Sequence, residues 1–423
     1  MSQAQLAGPD LSDSYVSLIE SGKRTPTPVV ARLLAERLGC TTEFLLHGIE
    51  PRQRIDTELG LRHADLELYH GDAVIAADRF GEIVKAAGED NAMLAAQARL
   101  GRARALEHQG KIGRAVEAYE RLRREAAAHP ERLADLPLAV ALCRCYQRAG
   151  DLLRARDLGA HALDQVEQLS LVHGEIAIDL AAVLAETETG LSYVERVLAA
   201  HDLPDVVDRT NEIHSLWQAS IAASEREDSA LAVRLADDAL AAGRPARIAV
   251  RIARVAMQWS RISAAQAGDL TRADELAGRA ARILETFPGE SAEHARSLMV
   301  LAHVKIQAGD HDGAVALAQR ALTQLGDARG VIAASAHLVF AHVALARSET
   351  QVSGLLAKAQ DLLQNGSAVS PDRESARVWR ELGDLWGQAG SRHEQFTAYR
   401  RALEAVGIRA NMPGSTAAAV LTR

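Results

Sequence analysis

Seven glycines at near-constant spacing constrain this chain more than any other feature. Gly71, Gly110, Gly150, Gly190, Gly268, Gly309 and Gly390 are separated by 39, 40, 40, 78, 41 and 81 residues. The two long intervals are each two steps, so the ruler is about forty residues, with marks missing near Asp228 and Thr350. A fixed period of that size is the signature of stacked helical hairpins. Each glycine is expected to end a helix, where a left-handed residue is tolerated best.

The residues downstream of each glycine support this. Five residues on sits a small residue: Ala76, Ala115, Ala155, Ala273 or Ala314. Nine on comes Phe80, Tyr119, Ala277, Ala318 or Tyr399, and twelve on comes Ile83, Leu122, Ala162, Ala280, Ala321 or Ala402. Steps of four and three place these residues on one helical face. The pattern resembles the tetratricopeptide repeat. Trp379, Leu382, Gly383 and Trp386 match that family's W-x2-L-G-x2-Y, with Trp386 in place of tyrosine, and Gly390, Tyr399 and Ala402 match its turn and second helix. Trp217 takes the first position in a weaker copy, and Leu142, Cys143, Tyr146, Gly150 and Ala155 keep only the small-residue skeleton. The period exceeds the family's thirty-four, so both helices are expected to be longer by about a turn.

The resemblance implies a right-handed superhelix of about nine hairpins over residues 57–406, with a concave groove lined by the first helix of each hairpin. Counting back from the turn glycines places Gln97, Arg104, Arg144, Gln258, Gln266, Arg296, His303, His337, Arg377 and Arg380 on the groove side. The set is polar and cationic on a chain of net charge −8, which fits an anionic or amide-rich ligand such as a peptide. Arg and Gln are also what an ordinary solvated helix face carries.

The first fifty residues lack the period. Ser2 is placed to cap a short helix through Gln3, Gln5, Leu6 and Ala7, which Gly8-Pro9-Asp10 breaks. Ser12 caps a helix over 13–20 with Tyr15, Val16, Leu18 and Ile19 on its apolar face, ended by Ser21-Gly22. Thr27 caps a third helix with Pro28 first, which carries Val30, Leu33, Leu34 and Leu38 inward and stops at Gly39. A short helix is expected next, over 43–46.

Two short helices joined by a tight turn, the second capped by serine, have helix-turn-helix geometry. The run Tyr15-Val16-Ser17-Leu18-Ile19-Glu20-Ser21-Gly22-Lys23-Arg24-Thr25-Pro26, preceded by Gln3, Leu6, Ala7, Leu11 and Ser12, resembles the DNA-binding domain of the Xre family, related to phage repressors. With the repeats, the chain resembles actinobacterial regulators that join this domain to a tetratricopeptide array. Peptide-sensing regulators of Gram-positive bacteria share that layout.

The resemblance implies a role for each matching residue. Gln3 would contact backbone or an adjacent base. Ser12, Asp13, Ser14 and Ser17 would face base edges and nearby phosphates, and Lys23 and Arg24 would hold backbone. Leu6, Ala7, Val16 and Ile19 would be core.

Two departures stand out. The family places another helix before Gln3, so a start upstream of Met1 or an incomplete module is expected. Residues 1–50 also carry four Lys/Arg (23, 24, 32, 37) against six Asp/Glu (10, 13, 20, 36, 43, 50), and a balance of −2 predicts weak phosphate-driven binding by a monomer.

Other chemistry finds little support. Three cysteines exclude a disulfide scaffold, and Cys143 and Cys145, two apart on a helix, diverge. His337 and His342 are five apart, whereas four is the spacing at which a helix offers one metal two histidines. No glycine leads into a phosphate-loop Lys-Ser/Thr, and no nucleophile elbow or zinc-protease signature is present. Asp237-Asp238 reads as a solvated face. Polar residues come after Met1 where a secretory signal would be apolar, and the longest uncharged stretch, Val331–Ala346, is short for a bilayer.

The expectation is an all-α, cytoplasmic, non-enzymatic protein without metal or cofactor. Residues 1–47 form the helix-turn-helix, 48–56 a linker, 57–406 the array and 407–423 a tail. Its partners would be double-stranded DNA, a peptide or protein ligand in the groove, and a second copy in a homodimer. The alternative is an interaction scaffold with a vestigial helix-turn-helix.

Overall fold

The computed structural model describes residues 2–40, 42, 45, 51–87, 91–201, 206–326, 330–365 and 373–406. Every regular element among them is helical. Three short helices come first: α1 (Gln3–Ala7), α2 (Asp13–Glu20) and α3 (Pro28–Leu38). The array runs through α4 (Pro51–His70), α5 (Ala73–Ala87), α6 (Ala92–His108), α7 (Ile112–Ala128), α8 (Asp135–Ala149), α9 (Leu152–Gln168), α10 (Glu175–Thr187) and α11 (Leu191–Ala200). It continues with α12 (Thr210–Glu225), α13 (Ser229–Ile262), α14 (Leu270–Glu285), α15 (Ser291–Gln307) and α16 (His311–Leu325). The last four are α17 (Val331–Ala346), α18 (Val352–Asn365), α19 (Arg373–Gln388) and α20 (Arg392–Ala405).

Taken in pairs along the chain, α4 to α20 make nine hairpins, because α13 is long enough to serve two. Its 34 residues include Pro245, whose missing N–H leaves the carbonyl of Ala241 without its helical donor. The first array helix begins at Pro51, ahead of the expected start at Thr57. The short helix expected over 43–46 lies outside the described residues except Leu45, and the tail over 407–423 lies wholly outside them.

The glycine ruler has a backbone cause. Gly110, Gly150, Gly190, Gly268, Gly309 and Gly390 all have positive φ, between 59° and 85°. At the two missing marks the same conformation is held by other residues: Glu227 at φ 63° and Ser348 at φ 55°. The geometric period is therefore intact where the glycine is lost. Gly71 departs from the expectation, since its φ is not positive. Its N–H still donates to the carbonyl of Glu67 and closes the helix there.

Two compact units divide the chain: residues 1–111, 124–133 and 210–242, and residues 112–123, 134–209 and 243–423. In the first, Leu59 and Leu66 of α4 pack with Ile213 and Trp217 of α12 and with Ala232, Ala236 and Ala239 of α13. Phe80 packs with Ala64, Ala98 and Ala105 between α4, α5 and α6. In the second, alanine dominates the helix seams, as at Ala277, Ala280, Ala314, Ala318 and Ala321, all fully buried. Small side chains let helix backbones approach closely, so few aromatics are needed. Trp379, Leu382 and Trp386 are buried where the repeat pattern places them. Cys143 and Cys145 are also buried, and burial pushes the Cys143 thiol up to about 12.

Candidate DNA-binding surface and ligand groove

Local capping builds the N-terminal surface. Ser2 and Gln5 form a reciprocal capping box at the start of α1. The Ser12 hydroxyl accepts from the Tyr15 N–H at 3.2 Å to open α2, and Thr27 accepts from Val30 to open α3. Gly39 closes α3 in left-handed backbone at φ 67°. Ala7, Val16 and Leu34 form the core, flanked by Leu6, Leu11, Ile19, Val30 and Leu45. Two residues expected inward are outward instead: Leu18 is 38% and Leu38 46% exposed. Both sit at the margin of the apolar stripe, where a helix of only two or three turns meets few neighbours.

Ser12, Asp13, Ser14 and Ser17 are all exposed along one side of α2. Asp13 stands in its first turn. Gln3 is exposed and its amide donates to Glu20 at 2.6 Å, which ties the start of α1 to the end of α2. Lys23 is exposed and unpaired among the described residues. The Arg24 guanidinium lies 4.6 Å above the Tyr15 ring, so its stem is fixed while its face stays open.

Arg37 has a different occupation. It donates to the carbonyls of Leu6, at 3.0 Å, and Ala7, and it pairs with Asp10. It thereby satisfies the last carbonyls of α1 and holds the turn at Gly8, whereas Lys23, Arg24 and Arg32 have no ion pair among the described residues.

The second unit brings together most of the expected groove residues. Arg144 of α8 pairs with Asp179 of α10 at 3.0 Å. Arg251 of α13 joins Asp179 at 3.2 Å and Glu175 at 2.8 Å. Gln258 of α13 donates to Glu186 of α10, and Arg373 and Arg377 of α19 each lie 3.4 Å from the same carboxylate. Arg296 of α15 is held by Glu374 of α19 at 3.0 Å and by Glu293 at 2.7 Å. His303 of α15 meets Glu381 of α19 at 2.9 Å. Arg380 lends its charge to Glu381. Helix α17 packs against both α15 and α19, so the pairs between α15 and α19 reach past it.

Burial and charge act together in this cluster. Burial pulls the Arg296 guanidinium down, but the carboxylates of Glu374 and Glu293 outweigh it and raise its pKa. Burial likewise opposes the charge on His303, and Glu381 with the Met299 carbonyl raises it overall. Arg261, beside Ser260 on α13, is the exception. Burial lowers its pKa first, the nearby Arg377 and Arg296 add to this, and the carboxylates of Glu374 and Glu186 oppose the shift without reversing it. Around it, Arg254, Arg296, Arg373 and Arg377 share Glu186, Glu290, Glu293 and Glu374.

Some groove expectations fall elsewhere. Gln97 is exposed and Arg104 half-buried in the first unit. His337 is 8% exposed, with its ring edge-on to Phe340 at 5.7 Å, and joins no charged pair. Gln266 lies in a π-helical turn over Ser263–Ala267, and its side chain is outside the described residues. Asp237, expected on a solvated face, is exposed and pairs with Arg62 at 2.6 Å.

The acidic members, Asp179, Glu186, Glu374 and Glu381, lie outside the sequence expectation. A signal for them exists: Arg296–Glu374 and His303–Glu381 are both 78 residues apart, the length of a double step of the glycine ruler. No group of metal-binding side chains occurs among the described residues, and no helix among them is long and apolar enough to cross a membrane.

Residues 1–45 match the family model HTH_3, helix-turn-helix. Among curated proteins none matches. The structure is similar to a Rap protein complexed with Competence and Sporulation Factor, at 15% identity over 93% of this chain and 95% of that one, with a TM-score of 0.50. The apo form of RapI has the same identity and coverage at a TM-score of 0.45. The apo quorum sensor NprR from B. thuringiensis is 14% identical over 83% of this chain and 98% of that one, at 0.37. The chain therefore joins an Xre-type helix-turn-helix to an array of tetratricopeptide-like hairpins.

Proposed function

We propose that this chain is a sequence-specific DNA-binding regulator of transcription whose helical array takes a peptide or protein ligand on its concave face. One observation carries the reading: within the segment that matches the helix-turn-helix family model, α2 is capped, packed on one side, and exposes Ser12, Asp13, Ser14 and Ser17 on the other. In that role the serine hydroxyls and the Asp13 carboxylate read base edges, Asp13 accepting from cytosine. Gln3, Lys23 and Arg24 hold the sugar-phosphate backbone, and the N-terminus of α2 favours a phosphate.

For the ligand, support comes from the clustered polar side chains of Arg144, Gln258, Arg296, His303, Arg377 and Arg380 in the second unit. The fold neighbour solved with Competence and Sporulation Factor adds a precedent for such an array holding a factor. Ligand and DNA are coupled through differential affinity: a ligand that prefers one curvature of the stack sets the spacing of two helix-turn-helix units in a homodimer. Half-sites about 34–36 Å apart make DNA affinity sensitive to that spacing.

The test is genome-wide fragment binding by the full chain at stated salt, with and without residues 1–47. Loss of sequence-selective binding on truncation supports the reading. Selective binding that survives truncation, or none by the full chain, refutes it and favours an interaction scaffold.

A further inference from the structure

Glu186 and Arg373 stand at the wrong ends of their helices. Glu186 lies in the last turn of α10, where the carbonyl ends repel an anion. Arg373 opens α19, where the N–H ends repel a cation. Neither charge serves its own helix, and each is accounted for by the other. The Glu186 carboxylate lies 3.4 Å from both Arg373 and Arg377, which are one turn apart on α19. It also accepts from Gln258 of α13.

The tie joins helices that belong to separate apolar clusters. Helix α10 is buried with α8, α9, α11 and α13, around Val140, Val166, Ile178, Tyr193 and Ile252. Helix α19 is buried with α17, α18 and α20, around Leu338, Leu356, Trp379, Leu382 and Ala398. Among the described residues, none is shared by the two clusters. Glu186 and Arg373 thus connect points 187 residues apart through polar atoms. Their side chains are 24% and 31% exposed and that of Arg377 is 44%, so water and salt reach the joint. An ion pair this wet contributes little and is screened by salt, whereas the apolar seams on either side are not. The joint can therefore part while the modules it connects stay folded.

We propose that Glu186, Arg373 and Arg377 form a salt-sensitive latch that gives the second unit two arrangements. In the closed one α10 is tied to α19. In the open one the tie is broken, and the carboxylate and both guanidiniums are released to water. The latch depends on neither the DNA reading nor the ligand reading above. It is a property of the repeat stack itself.

The experiment is single-molecule energy transfer in the full chain. Dyes are placed on Leu169→Cys and Phe396→Cys, both exposed positions, in a Cys40→Ser background that leaves only the buried thiols. Four chains are compared from about 20 mM to about 1 M salt. They are the native latch, Glu186→Gln, the charge swap Glu186→Arg with Arg373→Glu and Arg377→Glu, and Arg320→Gln. The last breaks the pair with Glu285 and serves as a control away from the latch.

With the native latch, the low-transfer population should rise at least about threefold over this range. Glu186→Gln should show the high-salt distribution already at low salt. The charge swap should restore the native response, and Arg320→Gln should keep it. Equal distributions for the native latch and Glu186→Gln at low salt overturn the proposal. So does a salt response that persists in Glu186→Gln, or a charge swap that stays open. Loss of helical circular dichroism in Glu186→Gln also overturns it, because the tie would then be holding the modules folded.

Discussion

Replacing Gly101 by alanine tests the packing directly, because two effects of known size oppose each other. Gly101 lies inside α6, where alanine should gain about 1 kcal/mol from helix propensity. A methyl built there would be 2.7 Å from Cδ1 of Phe80 and nearer still to Cε1 and Cζ. Carbon pairs rest at about 3.5–4.0 Å, so the ring must retreat by about 1 Å. Phe80 is 0% exposed and wedged against Ala98 and Ala105, so it has no room to do so. Overpacking of this kind costs about 1–3 kcal/mol, which outweighs the propensity gain and leaves a net loss of up to about 2 kcal/mol.

Gly278 is the control. It lies inside α14 with open space around its Cβ position, and Gly278→Ala should stabilise by up to about 1 kcal/mol. Native-state hydrogen exchange, read separately for peptides of α5–α6 and of α14, is the assay, since a repeat array does not unfold as one two-state body. Protection should fall in the first variant and rise in the second. In a Phe80→Leu background the loss should shrink by at least about 1 kcal/mol through direct coupling. Unchanged or increased protection in Gly101→Ala would show that the ring does not fill that space.

Ser348→Gly relieves left-handed strain and should stabilise α17–α18 by up to about 1 kcal/mol, seen as slower exchange there. Arg37→Met removes the charged donors that finish α1 and should cost about 2 kcal/mol, opening the amides of Ala7 and Val16 while array protection is unchanged. Lys23→Ala should weaken all DNA sequences alike and flatten the salt slope by about 1, whereas Ser14→Ala should change sequence preference, both read by titration at several salt concentrations. The His303–Glu381 pair should stabilise α15 and α19 most in mildly acidic solution: raised His303 contributes fully below about pH 6.5 and is lost as pH rises through its folded pKa, while lowered Glu381 is lost as pH falls through its own. His303→Gln should remove that pH dependence of melting.

Local signals are readable in the sequence where a short-range rule decides the outcome. Caps at Ser2, Ser12 and Thr27, the proline at the head of α3 and the αL stop at Gly39 all depend on neighbours within four residues, and each stands where the sequence puts it. The ruler is equally plain, yet it marks a conformation rather than a residue, which is why Glu227 and Ser348 hide two of its steps. Fusion into α13 is illegible because Pro245 reads as a helix breaker. Groove-facing positions can be counted from the glycines only to within a residue or two, which His337 exposes: one position on a helix turns a side chain by about 100°, enough to move it from the inner face into the seam. The acidic partners Glu374 and Glu381 stand a double step of the ruler from Arg296 and His303, a spacing that marks them only once it is known that α15 and α19 meet past α17.

The ties from α15 to α19 change how this stack should come apart. A linear array of repeats ordinarily frays from its free end, one module after another, because each touches only the next. Here the final module is laced to the one two places before it through Glu374 and Glu381. Pulled from the C-terminal side, three modules should let go as a block, giving one large extension step where a simple zipper would give three small ones.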